Sequence, residues 1–264
     1  MDLQLKSKTA FVSGSTQGIG FAIARQLLLE GAGVIINGRT REKIDDAIGK
    51  LAGEIPAARV SGIAADFADA AAVNALLTEL PEVDILVNNV GIFELREFAG
   101  IRDEDWARFF EVNVMSGVRL SRTLLPGMLA RNWGRIIFIS SESAVNIPGN
   151  MIHYAMTKTA MLAVSRGLAE LTRDTEVTVN SILGGPTYSE GVAAAVEQMA
   201  GAQNLRVQQV KEYLMKGVSP TSLLGRFIDP AEIAHLAVYL ASPLSIATNG
   251  SALRADGGVL PTIL

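Results

Sequence analysis

The chain has 264 residues, of which 49% are hydrophobic and 19% charged, and its formal net charge is −4. This composition predicts a compact globular protein with a large core and argues against nucleic acid as a partner, because no basic block is present. Cysteine is absent and only two histidines occur, which excludes disulfides and argues against a metal centre, so we expect no metal.

The N-terminal part of the chain carries a strand, a glycine-rich loop and a helix in that order. The apolar strand is Thr9 to Val12, and the helical pattern runs from Phe21 to Glu30. Glycines allow the backbone to approach a pyrophosphate, and the helix start offers unpaired N–H groups to its negative charge. The loop residues that we assign to cofactor binding are Gly14, Ser15, Thr16, Gln17, Gly18, Ile19 and Gly20.

The second strand, Val34 to Asn37, ends at Gly38 and Arg39. In dinucleotide-binding folds an acidic residue near this point binds the ribose hydroxyls of NAD, whereas an arginine accommodates the additional phosphate of NADP. Arg39 therefore predicts a preference for NADP(H), with NAD(H) still possible. The alternative is that Arg39 is only a solvated loop residue.

Strands and helices continue to alternate along the chain. Each polar cluster follows a strand, as Asp66 and the segment Asn88-Asn-Val-Gly91 do. This pattern predicts an α/β fold with a doubly wound, Rossmann-like parallel sheet of about seven strands and helices on both faces. We expect a single domain over residues 1–264, with ligand sites at the carboxyl ends of the strands.

The segment after the fifth predicted strand carries the strongest candidates for chemistry. Ser141 follows the strand Arg135 to Ile139, and Tyr154 and Lys158 are four residues apart on a predicted helix. That spacing places the ammonium and the phenol on one face, where the cation is expected to lower the pKa of the phenol. Tyr154 is then a candidate general acid, and Ser141 a group that holds the carbonyl oxygen.

The region from about 187 to 224 breaks the alternation of strands and helices. Two helical patterns, Val192 to Met199 and Val207 to Met215, flank a glycine-containing connection. Such an excursion at the end of a strand predicts a lid over a substrate pocket. The alternative is a surface or oligomer helix pair. The last helix begins at Asp229-Pro230 and the last strand spans Ser251 to Arg254.

Taken together, these motifs resemble those of the classical short-chain dehydrogenases/reductases over nearly the whole chain. The six that agree in order are the Gly14/Gly18/Gly20 loop, Asp66, Asn88-Asn-Val-Gly91, Asn113, the Ser141/Tyr154/Lys158 set and the Asn180…Gly185-Pro186 turn. The resemblance implies hydride transfer between NADP(H) and a carbonyl or alcohol without a metal.

The resemblance also implies roles for individual residues. Tyr154 would exchange the proton, Ser141 would position the oxygen, Lys158 would lower the pKa of the tyrosine and bind the nicotinamide ribose, and Asn113 would hold a water. Further cofactor contacts are implied for Asp66 at the adenine, for Asn88 on the ribose side, and for Val90, Gly91, Gly185, Thr187 and Ser189. The sequence departs from the usual pattern at Ser13, Val90, Gly184 and Ser189, all near the cofactor, and Gln17 stands where NADP-preferring relatives often carry a basic residue.

Three functional hypotheses remain open at this point. The first is a cytoplasmic NADPH-dependent reductase of ketones or 3-oxoacyl thioesters, in a pocket with mostly apolar walls. The second is an NAD-dependent alcohol dehydrogenase of the same fold, and the third is a dinucleotide-binding sensor without turnover. The family resemblance further implies a homotetramer or homodimer, and the apolar tail Val259 to Leu264 suits burial against a neighbour.

Overall fold

The fold is built on a seven-stranded sheet whose neighbouring strands are all parallel, in the order β3-β2-β1-β4-β5-β6-β7. The computed structural model describes residues 1–263, apart from the side chain of Val218. The strands are β1 Thr9–Val12, β2 Gly33–Gly38, β3 Arg59–Ala64, β4 Ile85–Asn88, β5 Gly134–Ser141, β6 Val177–Gly184 and β7 Ala252–Ala255. The predicted doubly wound sheet is confirmed.

Helices connect the strands and cover the sheet. They are α1 Gly18–Leu29, α2 Arg41–Glu54, α3 Ala70–Glu79, α4 Asp103–Phe110, α5 Ser116–Ala130, α6 Ile152–Glu170, α7 Glu190–Gln203, α8 Val207–Val218 and α9 Pro230–Ala241. One core cluster joins β-strand residues to α1, α2 and α9, and a second joins them to α3, α5 and α6. The sheet therefore has a hydrophobic core on each face, as parallel sheets require.

The order of the strands determines where a ligand site forms. The chain runs outward from β1 through β2 to β3, then crosses to β4 on the other side of β1. In open parallel sheets such a reversal opens a crevice at the carboxyl ends of the strands. The glycine loop after β1 and the Asn88 segment after β4 lie on the two sides of this crevice, because both follow adjacent parallel strands.

The C-terminal tail packs in part against the chain itself. Val259 and Leu260 are buried within this chain itself, whereas Ile263 is fully exposed. The predicted apolar tail is therefore packed internally over its first part, which differs from the burial against a neighbour that we expected, and Leu264 lies outside the described residues. Within residues 1–263 no helix combines the length and apolar character needed to cross a bilayer.

Candidate active site

The glycine loop after β1 is held by asparagine side chains from neighbouring strands. Asn37 at the end of β2 accepts a hydrogen bond from the Gly14 N–H at 3.0 Å, and Asn89 donates to the Gly14 carbonyl at 2.9 Å. Gly14 and Gly18 both have positive φ angles, 61° and 62°, which favour glycine. The loop is thus fixed in a shape that leaves the N-terminus of α1 facing the crevice.

An anionic group of the chain already lies on this loop. The Gly18 N–H donates to a carboxylate oxygen of Glu190 at 2.7 Å, although the two residues are 172 positions apart. Glu190 is the first residue of α7, the first helix of the predicted lid. The Gly18 N–H thus points out of the loop toward a negatively charged oxygen, as the N–H groups at the start of a helix would toward a phosphate.

The two asparagines that follow β4 have different environments. Asn88 is 3% exposed and donates to the Ser121 hydroxyl at 3.2 Å, so its side chain faces the interior and not the crevice. The contact on the ribose side of the cofactor that we predicted for Asn88 stays a prediction, and the buried side chain leaves the backbone to make it. Asn89, which the sequence did not single out, is the residue of the pair whose amide reaches the glycine loop. Val90 packs against the second core cluster and beside Gly14.

The residues predicted to select the adenosine part of the cofactor lie at the ends of β2 and β3. Arg39 is exposed directly after β2, and among the described residues no hydrogen bond or ion pair involves its guanidinium. Asp66 is half-buried just beyond β3, and its carboxylate accepts a hydrogen bond from the Ala68 N–H at 3.0 Å. Both side chains are therefore placed where a ligand along these strand ends would meet them.

Ser141 ends β5 and forms the closest side-chain contact of the site. Its hydroxyl lies 2.5 Å from a carboxylate oxygen of Glu142 and accepts a hydrogen bond from the Ser143 N–H at 3.1 Å. The second carboxylate oxygen of Glu142 accepts from the Ser143 hydroxyl at 3.3 Å. Burial raises the pKa of Glu142, and the hydrogen bonds from Ser141 and Ser143 oppose that shift.

Tyr154 and Lys158 share one face of α6, as their spacing predicted. The Lys158 ammonium lies 5.7 Å from the centre of the Tyr154 ring and donates to the Ile139 carbonyl at 2.9 Å. Burial lowers the pKa of Lys158 to about 8. Burial also raises the pKa of Tyr154 to about 12, with a hydrogen bond from Ser141 acting in the opposite direction and the charge of Glu142 in the same direction.

The shift of Tyr154 is opposite to the depression that we predicted. Removal of water from the phenolate is the largest cause of the shift, and Lys158, which is itself buried with 5% exposure, does not offset it. Both groups are consequently less ionised in this structure than in water. The predicted juxtaposition of Ser141, Tyr154 and Lys158 is present, but the predicted electrostatic effect of the lysine on the tyrosine is not.

Asn113 lies in an irregular turn between α4 and α5. Residues Glu111–Met115 form a π-helical segment, a feature common at functional sites. The Asn113 amide accepts from the Ile92 N–H at 2.8 Å and donates to the Ile92 carbonyl and to the Thr157 hydroxyl. A Cβ atom at Gly91 would lie 3.5 Å from both the Asn113 oxygen and the Lys158 ammonium, so these groups meet beside Gly91.

The turn after β6 brings the last predicted cofactor contacts to the crevice. Gly185 passes so close to Asp256 that a Cβ atom would lie 2.7 Å from its backbone, which explains the glycine at this position. The Thr187 hydroxyl donates to the Gly185 carbonyl at 2.8 Å. Ser189 precedes α7, and its Cβ atom would lie 3.5 Å from a Cβ placed on Gly18. This turn therefore lies next to the glycine loop.

Comparison with known families identifies the fold family of the chain. Residues 8–200 match the family model described as short chain dehydrogenase. The chain belongs to the short-chain dehydrogenase family. It is thus an oxidoreductase of a family that acts on hydroxyl and carbonyl groups, and the resemblance seen in the sequence is confirmed.

Individual relatives cover the whole chain. It is 49% identical to the uncharacterized oxidoreductase YvaG of Bacillus subtilis, with 100% of both chains covered. It is 32% identical to the D-beta-hydroxybutyrate dehydrogenase of Cupriavidus necator, over 96% of this chain and 98% of that protein. The crystal structure of L-sorbose reductase from Gluconobacter frateurii, complexed with NADPH and L-sorbose, matches with a TM-score of 0.92 and 31% identity over 100% of both chains.

Proposed function

We propose that this short-chain dehydrogenase is an NADPH-dependent carbonyl reductase that transfers a hydride to a ketone and a proton to its oxygen. The observation that carries the proposal is the proximity of Ser141, Tyr154 and Lys158 at the crevice, on whose other side a glycine loop presents the Gly18 N–H to a carboxylate. The similar L-sorbose reductase was solved with NADPH, which supports the same cofactor here.

The residues that would hold NADPH are spread along the crevice. The glycine loop and the start of α1 would bind the pyrophosphate, Arg39 the phosphate on the adenosine ribose, Asp66 the adenine, and the turn at Thr187 the nicotinamide side. Asp66 and the Thr187 turn stay assigned from the family resemblance. When bound, this cofactor supplies the hydride.

Proton transfer is the task of the protein side chains. Tyr154 carries its proton at neutral pH, all the more because burial raises its pKa to about 12, so it is available as a donor to a carbonyl oxygen. Ser141 lies close enough to Tyr154 to share a hydrogen bond with it, so a carbonyl oxygen bound at Tyr154 would also lie near the Ser141 hydroxyl. Lys158 and Asn113 meet beside Gly91 behind the tyrosine, where they would orient the ribose and a water as the family resemblance implies.

Cofactor titration and a substitution at Arg39 test the proposal together. In titrations monitored by nicotinamide fluorescence, we expect NADPH to bind the purified protein more tightly than NADH. We also expect ketones to be reduced when NADPH is present. Arg39→Asp removes the cation opposite the phosphate and should lower the NADPH preference by about 10- to 100-fold. Arg41→Asp, at the neighbouring exposed arginine whose ion pair is with Asp45, is the matched control.

Each outcome of that experiment is decisive. A preference for NADH in the wild-type protein would favour the NAD-dependent dehydrogenase. Saturation by NADPH without reduction of any ketone in a broad panel would favour the sensor without turnover. An unchanged preference in Arg39→Asp would reduce Arg39 to a loop residue.

Glu190 gives a second prediction about cofactor affinity. Its carboxylate accepts the Gly18 N–H that a phosphate would use, so cofactor binding has to displace a negative charge of the chain. Glu190→Gln should therefore tighten NADPH binding by about 3- to 10-fold, with the larger gain at low ionic strength. Glu197→Gln, an exposed substitution on the same helix, serves as the control. Unchanged or weaker binding in Glu190→Gln would show that Glu190 does not compete with the phosphate.

Exposed apolar side chains on the surface of the chain support association into an oligomer. The family resemblance assigns subunit contacts to the long helices around Asn113 and after Tyr154 and to the last helix and strand. Apolar side chains are exposed on or beside these helices: Phe110 is 42% exposed, Leu171 61% and Tyr239 39%. Burial of these side chains in a homotetramer or homodimer would remove them from water. We infer such an oligomer and a cytoplasmic location. We also propose that residues 187–224 form a lid over a single domain spanning 1–264, and that the substrates are small molecules.

A further inference from the structure

We propose that Glu142 selects substrates that carry a hydroxyl group on the carbon next to the carbonyl. The inference rests on the proposed reductase function and names the substrate class of the same site. Its starting point is the contact between Glu142 and Ser141, in which a carboxylate oxygen and the catalytic hydroxyl are 2.5 Å apart. The sequence indicated a pocket with mostly apolar walls, among whose candidate residues Glu142 carries a carboxylate.

The contact creates a competition for one proton. Ser141 has a single hydroxyl hydrogen, and its oxygen already accepts a hydrogen bond from the Ser143 N–H. Directed at Glu142, that hydrogen is not available to a substrate carbonyl oxygen. A substrate without a hydrogen-bond donor must therefore compete with the charged carboxylate of Glu142 for the hydrogen bond from Ser141. Hydrogen bonds to a charged acceptor are about twice as strong as those between neutral groups.

A neighbouring hydroxyl on the substrate resolves this competition. Oxygens on adjacent carbons lie roughly 3 Å apart, which is the length of an O–H···O hydrogen bond and close to the separation of Ser141 and Glu142. The substrate hydroxyl then donates to Glu142 while Ser141 turns its hydrogen toward the carbonyl. Glu142 is half-buried, so a ligand can reach it. Because its carboxylate is partly shielded from water, a hydrogen bond from the substrate hydroxyl stabilises it.

Other neighbours do not offer this recognition. The Ser143 hydroxyl is already bonded to the second oxygen of Glu142, at 3.3 Å. Phe93, whose ring centre is 6.5 Å from that of Tyr154, is 63% exposed and provides an apolar wall. Among the described side chains that hydrogen-bond with Ser141, Tyr154 serves as the proton donor, and Glu142 is the acceptor that can pair with a hydroxyl beside the carbonyl.

The test compares two ketones that differ by one hydroxyl group, acetoin and butanone, with NADPH as the reductant. We expect wild-type kcat/KM to favour acetoin by about 10- to 100-fold, the range for one hydrogen bond to a charged group. In Glu142→Ala the ratio should fall to within about 3-fold of unity, and butanone reduction should become faster because Ser141 is released. Glu142→Gln, which still accepts a hydrogen bond through its amide oxygen, should retain an intermediate ratio. Glu79→Gln, an exposed carboxylate at the end of α3, is the matched control.

A binding measurement separates this inference from the proposed function. Two alcohols, butane-2,3-diol and butan-2-ol, are the reduction products of acetoin and of butanone. Each is added to the protein in the presence of NADP⁺, and the rise in melting temperature that it gives is measured. Turnover of both ketones with a ratio that Glu142→Ala leaves unchanged would overturn the role of Glu142 and leave the reductase intact. Stabilisation by the diol that depends on Glu142, without turnover of either ketone, would retain the recognition and overturn the reductase. Neither turnover nor diol-dependent stabilisation would overturn both.

Discussion

Tyr154→Phe is expected to lower kcat for ketone reduction by at least about 100-fold and by up to roughly 10,000-fold, because it removes the proton donor and leaves the ring in place. Burial raises the pKa of Tyr154 to about 12, so the wild-type phenol carries its proton throughout the neutral pH range, and phenylalanine has no proton to give. The ring still packs at 6.5 Å from Phe93, which keeps the fold and the pocket wall unchanged. Steady-state reduction with NADPH at pH 7 is the measurement.

The same variant should bind NADPH almost as tightly as the wild-type protein. A loss confined to kcat would place Tyr154 at the proton-transfer step, whereas an equal loss of cofactor affinity would indicate a structural role. Tyr239→Phe, at a tyrosine on α9 that is 39% exposed, controls for removal of a hydroxyl elsewhere. More than a few per cent of residual activity in Tyr154→Phe would remove Tyr154 as the acid.

Much of the fold could be predicted because local patterns determine it. The run Arg135 to Ile139 and the run Val177 to Ile182 are short and rich in β-branched residues, and they form β5 and β6, in which every residue is buried. Asp229-Pro230 predicted the start of α9, and Asp229 does accept a hydrogen bond from the Ala231 N–H there. Such signals lie within a few residues of the structure that they specify.

Contacts between distant segments could not be predicted in the same way. The carboxylate of Glu190 reaches Gly18 only because the turn after β6 passes beside the glycine loop. The interior position of Asn88 depends on Ser121, a residue of α5 that packs under β4. No spacing within the sequence encodes the contact of Gly18 with Glu190 or that of Asn88 with Ser121. Both contacts arise from how the segments between the strands pack on the sheet.

The electrostatics of the site were the least accessible to sequence reasoning. The spacing of Tyr154 and Lys158 gave the correct shared face of α6, but the sign of the tyrosine shift depends on how far water is excluded. Burial is a property of the whole fold, to which β5, α6 and the segment at Asn113 all contribute. The sequence therefore predicted which residues meet and not how each of them titrates.

Lys158→Met is expected to abolish efficient reduction and at the same time to stabilise the protein at neutral pH. The ammonium is 5% exposed, and burial lowers its pKa from 10.5 to about 8. That difference corresponds to about 3 kcal/mol of cost in the folded state while the group is charged. Methionine has a similar volume and no charge. After about 1 kcal/mol for the lost hydrogen bond to the Ile139 carbonyl, the variant should gain roughly 2 kcal/mol in free energy of unfolding.

The pH dependence of this gain identifies its cause. Folded Lys158 releases its proton near pH 8 and the unfolded chain near pH 10.5, so between these values the unfolded state binds more protons. The wild-type free energy of unfolding then rises with pH through this window, while below pH 8 the full cost is present. Urea unfolding of the two proteins should show that the variant's higher free energy of unfolding at pH 7 falls to that of the wild-type protein as the pH rises. Near pH 10.5 the wild-type protein should be the more stable by about 1 kcal/mol, because only the lost hydrogen bond then separates the two proteins. Lys50→Met, at an exposed lysine of α2, should show no such trend, and a pH-independent difference for Lys158→Met would contradict a buried charge at this position.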